Sequence, residues 1–142
     1  MRTTFDVTLH APQKVLYDYL GNPANRSEWQ SSIIDLEVLT PGPTEVGTRW
    51  REQAKGFGEF EMHISEMEPP NIWAERGSSN RGSMMLRLVF SSEDEARTHL
   101  RVEVELNLKG VLGLLQYGAP LVLAPLMKAD LRRAAQLCTG QQ

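Results

Sequence analysis

Glu52 and Arg76 are the residues whose type and spacing could do chemistry in this chain. Glu52 lies two positions after Trp50 in a segment, Thr48 to Ala54, that reads as a strand. Side chains two apart share a strand face, so Thr48, Trp50, Glu52 and Ala54 are predicted to point inward together. A carboxylate among apolar neighbours resists ionisation and can act as a general base or anchor a ligand hydroxyl. Arg76 follows the same logic: Ile72 and Ala74 set the phase of its strand and turn Arg76 inward near the strand end. If Arg76 reaches Glu52, the carboxylate stays ionised and structural. One strand separates the two, so about 10 Å must be bridged by two long side chains. Two plainer alternatives stay open, a rim salt bridge for Glu52 and solvent exposure for Arg76 beside a hairpin.

Other reactive residue types do not converge. His10, His63 and His99 fall on the polar side of their strands, and the cysteine count of one, Cys138, permits no intrachain disulfide. Metal-ligand spacing, a phosphate-cradling glycine loop and a nucleophile motif are all missing from the sequence, so neither a metal nor a cofactor is expected. Gly56-Phe57-Gly58 reads as a hairpin turn, because no helix follows it. Trp29 and Trp50 serve equally as core or as pocket wall. Tyr17 and Tyr117 could offer hydroxyls, but helical phase fixes neither.

The 142 residues are read as a single domain, 1–142, with enough chain for a real core. A net charge of −3 gives no basic footprint and argues against nucleic acid as a partner. Met1 to Leu9 alternates apolar and polar residues and contains no signal-peptide core, so a cytoplasmic location is the expectation. Asn25-Arg26-Ser27 matches a glycosylation acceptor, a chance match without export.

The elements that must position these residues follow from periodicity. Phe5, Val7 and Leu9 alternate with polar residues as a first strand. From Pro12 the apolar spacing turns helical, with Val15, Leu16, Tyr19 and Leu20 on one side, until Gly21-Asn22-Pro23 stops it. A second short helix runs toward Trp29. Six further strands are predicted, at Ile33 to Leu39, Val46 to Lys55, Glu59 to Glu66, Ile72 to Arg76, Met84 to Phe90 and Thr98 to Leu108. Phe60, Met62 and Ile64 share one face of their strand, as do Leu100, Val102, Val104, Leu106 and Leu108 of theirs. One dry face and one wet face mark an antiparallel sheet covered on a single side.

The cover must come from the last third. Between Lys109 and Lys128 there is no charged residue. Leu112, Leu115, Ala119, Val122 and Leu126 recur at helical spacing, and past Pro125 the stripe resumes with Met127, Leu131, Ala134 and Cys138. Lys128, Asp130, Arg132 and Arg133 are predicted to turn outward. The stretch is barely long enough to span a membrane, and Gly113, Gly118, Pro120 and Pro125 interrupt it. A buried helix is therefore the reading, without stable membrane insertion; a subunit interface is the alternative.

The order strand, two helices, six strands, long helix resembles the START-like (SRPBCC) helix-grip superfamily, which includes polyketide cyclase/dehydrase-like and lipid-transport proteins and the pollen-allergen fold. The likeness rests on Ala11-Pro12 followed by Val15 and Tyr17, on Asn25 and Trp29, on Val46-Gly47-Thr48, and on Glu68-Pro69-Pro70. The prolines in the last helix depart from a smooth long helix and imply a kink or break. The resemblance implies an α+β fold, a seven-stranded antiparallel sheet wrapped around the C-terminal helix, with two short helices between the first two strands. It also implies a cavity between sheet and helix that holds an apolar molecule such as a lipid or polyketide.

Within that frame the expected ligand-lining residues are Trp29, Trp50, Glu52, Phe57, Phe60, Met62 and Arg76, with Met84, Leu86, Val104, Leu112, Leu115 and Ala119. Alternate turns of a meander fall at one end, so Gly56–Gly58, Gly77–Ser83 and Lys109–Gly113 should cluster as the ligand entrance with Phe57 as gate. Glu52 is the candidate catalytic residue if the protein is instead a cyclase, aromatase or dehydratase. A third reading is an interaction protein that dimerises through the apolar helix; as a binder the chain would be a monomer or homodimer.

Overall fold

A computed structural model of the chain describes residues 1–110 and 119–140, with the backbone alone at 119 and 120. Among these residues the strands are β1 (Arg2–Leu9), β2 (Ile33–Val38), β3 (Arg49–Ala54), β4 (Gly58–Glu68), β5 (Ile72–Ser79), β6 (Gly82–Asp94) and β7 (Arg97–Leu108). They form one antiparallel seven-stranded sheet in the order β1-β7-β6-β5-β4-β3-β2. Between β1 and β2 come α1 (Gln13–Leu20), a 3-10 turn (Pro23–Asn25) and the single-turn α2 (Arg26–Trp29). The long helix α3 (Ala119–Thr139) lies against α1, α2 and β1, and Pro125 sits inside it. This is the α+β helix-grip arrangement.

The period-two strands build the core on one face. Phe5, Val7 and Leu9, then Phe60, Met62 and Ile64, then Leu86, Leu88 and Phe90, then Leu100, Val102 and Val104 are all buried there. Leu131, Ala134 and Ala135 of α3 complete it. Burying each large aliphatic or aromatic side chain stabilises the fold by roughly 1.5–3 kcal/mol. The strand-to-helix corner after β1 is pinned by the buried Thr98 hydroxyl, which donates to the Ala11 carbonyl at 2.7 Å.

The outer face is wet and charged. Arg51 pairs with Glu37 at 2.8 Å, and Arg87 joins Glu66 at 3.0 Å to Glu103 at 2.8 Å. Arg87 makes this bridge by crossing Ala74, its register partner on β5, which is in turn paired with Glu66. Ala74 is thus buried beneath a guanidinium on the outer face. That reverses the expected phase of β5: Trp73 and Glu75 point inward, and Arg76 is exposed outside. A small apolar residue under a long charged one imitates an inward position in the sequence pattern.

Three helical expectations also change. Val15 is 42% exposed, and Tyr17 occupies the inner side of α1, its hydroxyl donating to the Ile72 carbonyl at 2.7 Å. On α3, Val122 and Leu126 are exposed, whereas Leu123, Ala124 and Met127 pack on the core. Asp130 is buried rather than turned outward, because its position falls on the same helical face as Met127, Leu131 and Ala134. Ser31 bonds its carboxylate, while burial, the larger influence, pushes its pKa up. Leu112 and Leu115 lie outside the described residues.

Candidate functional site

The buried charges of the inner face collect around Arg26. Asn22 accepts a hydrogen bond from the Ala24 N–H at 3.1 Å and starts the 3-10 turn, which leads straight into α2. Asn25 ties that turn back to the end of α1 through the Tyr19 carbonyl, 3.1 Å away. Arg26 and Trp29 stand three positions apart on one helical face, which puts both against the sheet. Arg26 is 1% exposed, Glu75 1% and Glu52 2%.

The geometry is that of a caged guanidinium. Arg26 Nη1 donates to Glu75 Oε1 at 2.6 Å and lies 3.6 Å from Glu52 Oε1. Trp50 Nε1 donates to the same Glu52 oxygen at 2.9 Å. The guanidinium carbon is 5.7, 5.4 and 5.5 Å from the ring centroids of Trp29, Trp50 and Trp73, within cation–π range of every tryptophan in the chain. Trp50 and Trp73 stack at 6.5 Å.

Two glycines make room for the cage. A Cβ at Gly77 would overlap Met62 Sδ, so the methionine packs flat across β5 only because that position lacks a side chain. At Gly21 a Cβ would come within 2.9 Å of the Tyr17 carbonyl oxygen and 3.2 Å of the Trp73 ring.

Burial pushes the Glu75 carboxyl up to about 7; Arg26 pulls against this and Glu52 adds to it. Burial also works against the charge on Arg26, but the two carboxylates outweigh it and hold its pKa above the ordinary arginine value. Several buried polar atoms here have no partner among the described residues: Arg26 Nε and Nη2, Trp29 Nε1, Trp73 Nε1, Glu75 Oε2 and the neighbouring Gln30 Oε1. Such atoms are costly unless something bonds them.

The structure brings Trp29, Trp50 and Glu52 of the expected residues into this cage. Phe60, Met62, Leu86 and Val104 line the buried inner face, and Met84 is half-buried beside them. Phe57 is exposed in the β3–β4 turn, and Ala119 is described by its backbone only. Arg76 is not part of the group. With His63, Met85 and Glu105 it lines an open depression of ≈ 240 Å³ on the outer face. Arg26, not Arg76, is the cation beside Glu52. Arg26 leaves little trace in the sequence pattern because one helical turn is too short to show a period; its three-residue spacing from Trp29 is the signal present.

The expected end-clustering of turns is seen where it is described. The Lys109 N–H donates to the Arg81 carbonyl at 2.8 Å. A Cβ at Gly58 would lie 3.6 Å from Arg81 Nε, so the β3–β4 and β5–β6 turns and the end of β7 meet. His10 and His63 are exposed, and His99 lies 2.9 Å from Asp6 on the outer face. Among the described residues no group of His, Cys, Asp and Glu is arranged to hold a metal ion, and no helix is long and apolar enough to cross a membrane.

A sheet gripping a long helix, with a polar cage set into its apolar inner face, defines a START-like helix-grip protein. The chain belongs to the family described as polyketide cyclase / dehydrase and lipid transport, whose model matches residues 1–139. Among solved structures it is similar to the Zhui aromatase/cyclase from Streptomyces sp. R1128, with a TM-score of 0.79 at 15% identity over 98% of this chain and 93% of that one. A START superfamily protein from Mycobacterium smegmatis aligns with a TM-score of 0.71 at 11% identity, covering 93% of this chain and 97% of that one. Truncated norcoclaurine synthase from Thalictrum flavum gives 0.74 at 10% identity, covering 100% and 95%. At these identities the likeness is one of fold. Among curated protein sequences no match is found.

Proposed function

We propose that the protein binds, and is suited to carry, an apolar small molecule such as a lipid or polyketide between the inner face of the sheet and α3. The observation that carries this reading is the Arg26 cage, a compact polar centre with unpartnered buried donors and acceptors inside an otherwise apolar face. Small-molecule sites have that composition: mostly apolar walls and a few placed polar groups that fix orientation. The family description agrees in general terms.

Native mass spectrometry of the protein as purified, compared with a denatured sample, tests the reading. A small-molecule adduct that is lost on denaturation is expected. An apolar fluorescent probe should also bind at micromolar levels, on the order of −8 kcal/mol. A bare mass together with no probe uptake by folded protein would overturn it.

One observation favours a second reading, a cyclase-, aromatase- or dehydratase-type enzyme. A carboxyl titrating at about 7 is placed to give or take protons near neutrality, and that carboxyl is Glu75. Glu52, the expected base, already accepts from Trp50 and faces Arg26. Turnover of a cyclisable substrate that is lost in Glu75→Gln while binding persists would favour the enzyme.

A further inference from the structure

The two sides of α3 are both apolar over its first half, and only one of them is covered. Leu123, Ala124, Met127, Leu131 and Ala134 pack on the core. Leu121, Val122 and Leu126 project the other way and are 84%, 68% and 45% exposed; Pro125 and Ala129 are exposed with them. A helix that is apolar all round ordinarily has cover on every side. In sequence the charge-free run extends from Gly110 through Met127, so no charge interrupts the approach to this end of the helix.

The charges of α3 are segregated. One turn past Ala129 the exposed side is taken up by Arg132 and Arg133, while Lys128 lies over the Phe5 ring at 5.7 Å. The one acidic residue between Ala119 and Gly140 is Asp130, and it is buried on the packed side. A chain with a net charge of −3 thus carries, along the exposed side of this helix, an apolar half and then a cationic half with no carboxylate.

We propose that this side of α3 docks the protein reversibly on an anionic lipid surface. Leu121, Val122 and Leu126 enter the boundary between headgroups and acyl chains, and Arg132 and Arg133 pair with lipid phosphates. Apolar residues and cations on one exposed helical side are the composition of a helix that lies in a bilayer interface. Leu121 and Arg133 are about 18 Å apart along the axis, so a modest tilt sinks the apolar end while the arginines stay among the headgroups. Such a helix lies on the bilayer and does not cross it; no helix among the described residues is long and apolar enough to cross. A second copy of the chain fits this side poorly. Antiparallel pairing of two α3 helices sets Leu121 and Val122 against Arg132 and Arg133, and parallel pairing sets arginine against arginine. Docking here does not require that a ligand be bound.

Co-sedimentation with vesicles tests the docking, using phosphatidylcholine alone and phosphatidylcholine with about one-third phosphatidylglycerol. Wild type is expected to bind the anionic vesicles at least fivefold more tightly than the neutral ones, and the difference should shrink at high salt. Leu121→Ser combined with Val122→Ser is expected to weaken binding to the anionic vesicles at least tenfold. Arg132→Gln combined with Arg133→Gln is expected to bring the two vesicle types within twofold of each other. Arg76→Gln removes a cation from the outer face of the sheet and is expected to change neither. All five substituted side chains are exposed, so the variants should keep their fold, which circular dichroism checks. If the serine variant fails to fold, the arginine variant and the wild-type comparison decide. The docking is overturned if folded wild type ignores the anionic vesicles or binds both types alike. It is overturned equally if binding survives in the folded serine variant, or if Arg76→Gln lowers it as much as the arginine pair does. A dimer in solution that the serine variant separates into monomers would make this side a subunit interface and overturn it likewise.

Discussion

Replacing Glu75 by glutamine should change how stability depends on pH, and the size of the change follows from burial. The carboxyl is pushed from an ordinary 4.5 up to about 7, with desolvation the main cause. The native state therefore keeps a proton that the unfolded chain has already released. The contribution of this group is fully present below pH 4.5, falls across the interval, and is gone once pH has risen through about 7. Each pKa unit corresponds to ~1.4 kcal/mol, so the loss is about 3 kcal/mol. The side chain is fully buried, so solvent screening takes little from that figure. The glutamine of the variant does not titrate, and subtracting the variant's profile from wild type removes every other ionisation from the comparison. Urea unfolding followed by tryptophan fluorescence, at intervals from about pH 4.5 to 7.5, gives the difference directly. Wild type should lose about 3 kcal/mol relative to Glu75→Gln over that range. A difference that stays flat with pH, or that runs the other way, would show that Arg26 holds Glu75 ionised throughout and that desolvation does not dominate.

Three further outcomes test the rest of the site. Arg26→Met should destabilise the protein by about 3–5 kcal/mol at neutral pH, because it strands Glu52 and Glu75 in the core without their cation; chemical denaturation measures it. Gly77→Ala should cost about 1–3 kcal/mol by forcing Met62 off the β5 backbone, read as a lowered thermal midpoint. Arg76→Ala should leave stability within about 0.5 kcal/mol of wild type and leave probe binding unchanged, since that side chain stands on the outer face. A large loss of probe binding in this variant would restore the inward reading of Arg76.

Legibility in the sequence followed the length of each periodic run. The eleven-residue β4 and the twelve-residue β7 repeat their apolar positions often enough to set their faces, and Phe60, Met62 and Val104 lie where that pattern puts them. β5 offers few informative positions, and Ala74 is one of them. It looks inward-facing by type, yet it is buried on the other side by Arg87, which reaches Glu66 and Glu103 across it. Reading its phase from Trp73 would have turned Glu75 inward and Arg76 outward. Asp130 misleads for the opposite reason, a charged residue on a packed helical face. Arg26 was the hardest to see, since a one-turn helix has no period and its carboxylate partners are distant in the chain. Glu52 and Trp50 were readable because they lie two apart on one strand, whereas the cation beside them arrives from another layer of the fold.

The pairing of β1 with β7 has a consequence for how the chain comes together during synthesis. Phe5 is opposite Val102 and Val7 opposite Leu100, so the first strand made has the last strand made as its neighbour in the sheet. Nothing nearer in the sequence can take that place. The loop to be closed takes in everything between Leu9 and Thr98, and such long-range closure is slow compared with the assembly of local helices. Until β7 has left the ribosome, the backbone of β1 lacks its partner strand, and Thr98 is not yet there to hold the Ala11 corner. The nascent chain is thus exposed to misassociation through its opening strand for as long as translation of the remaining strands takes.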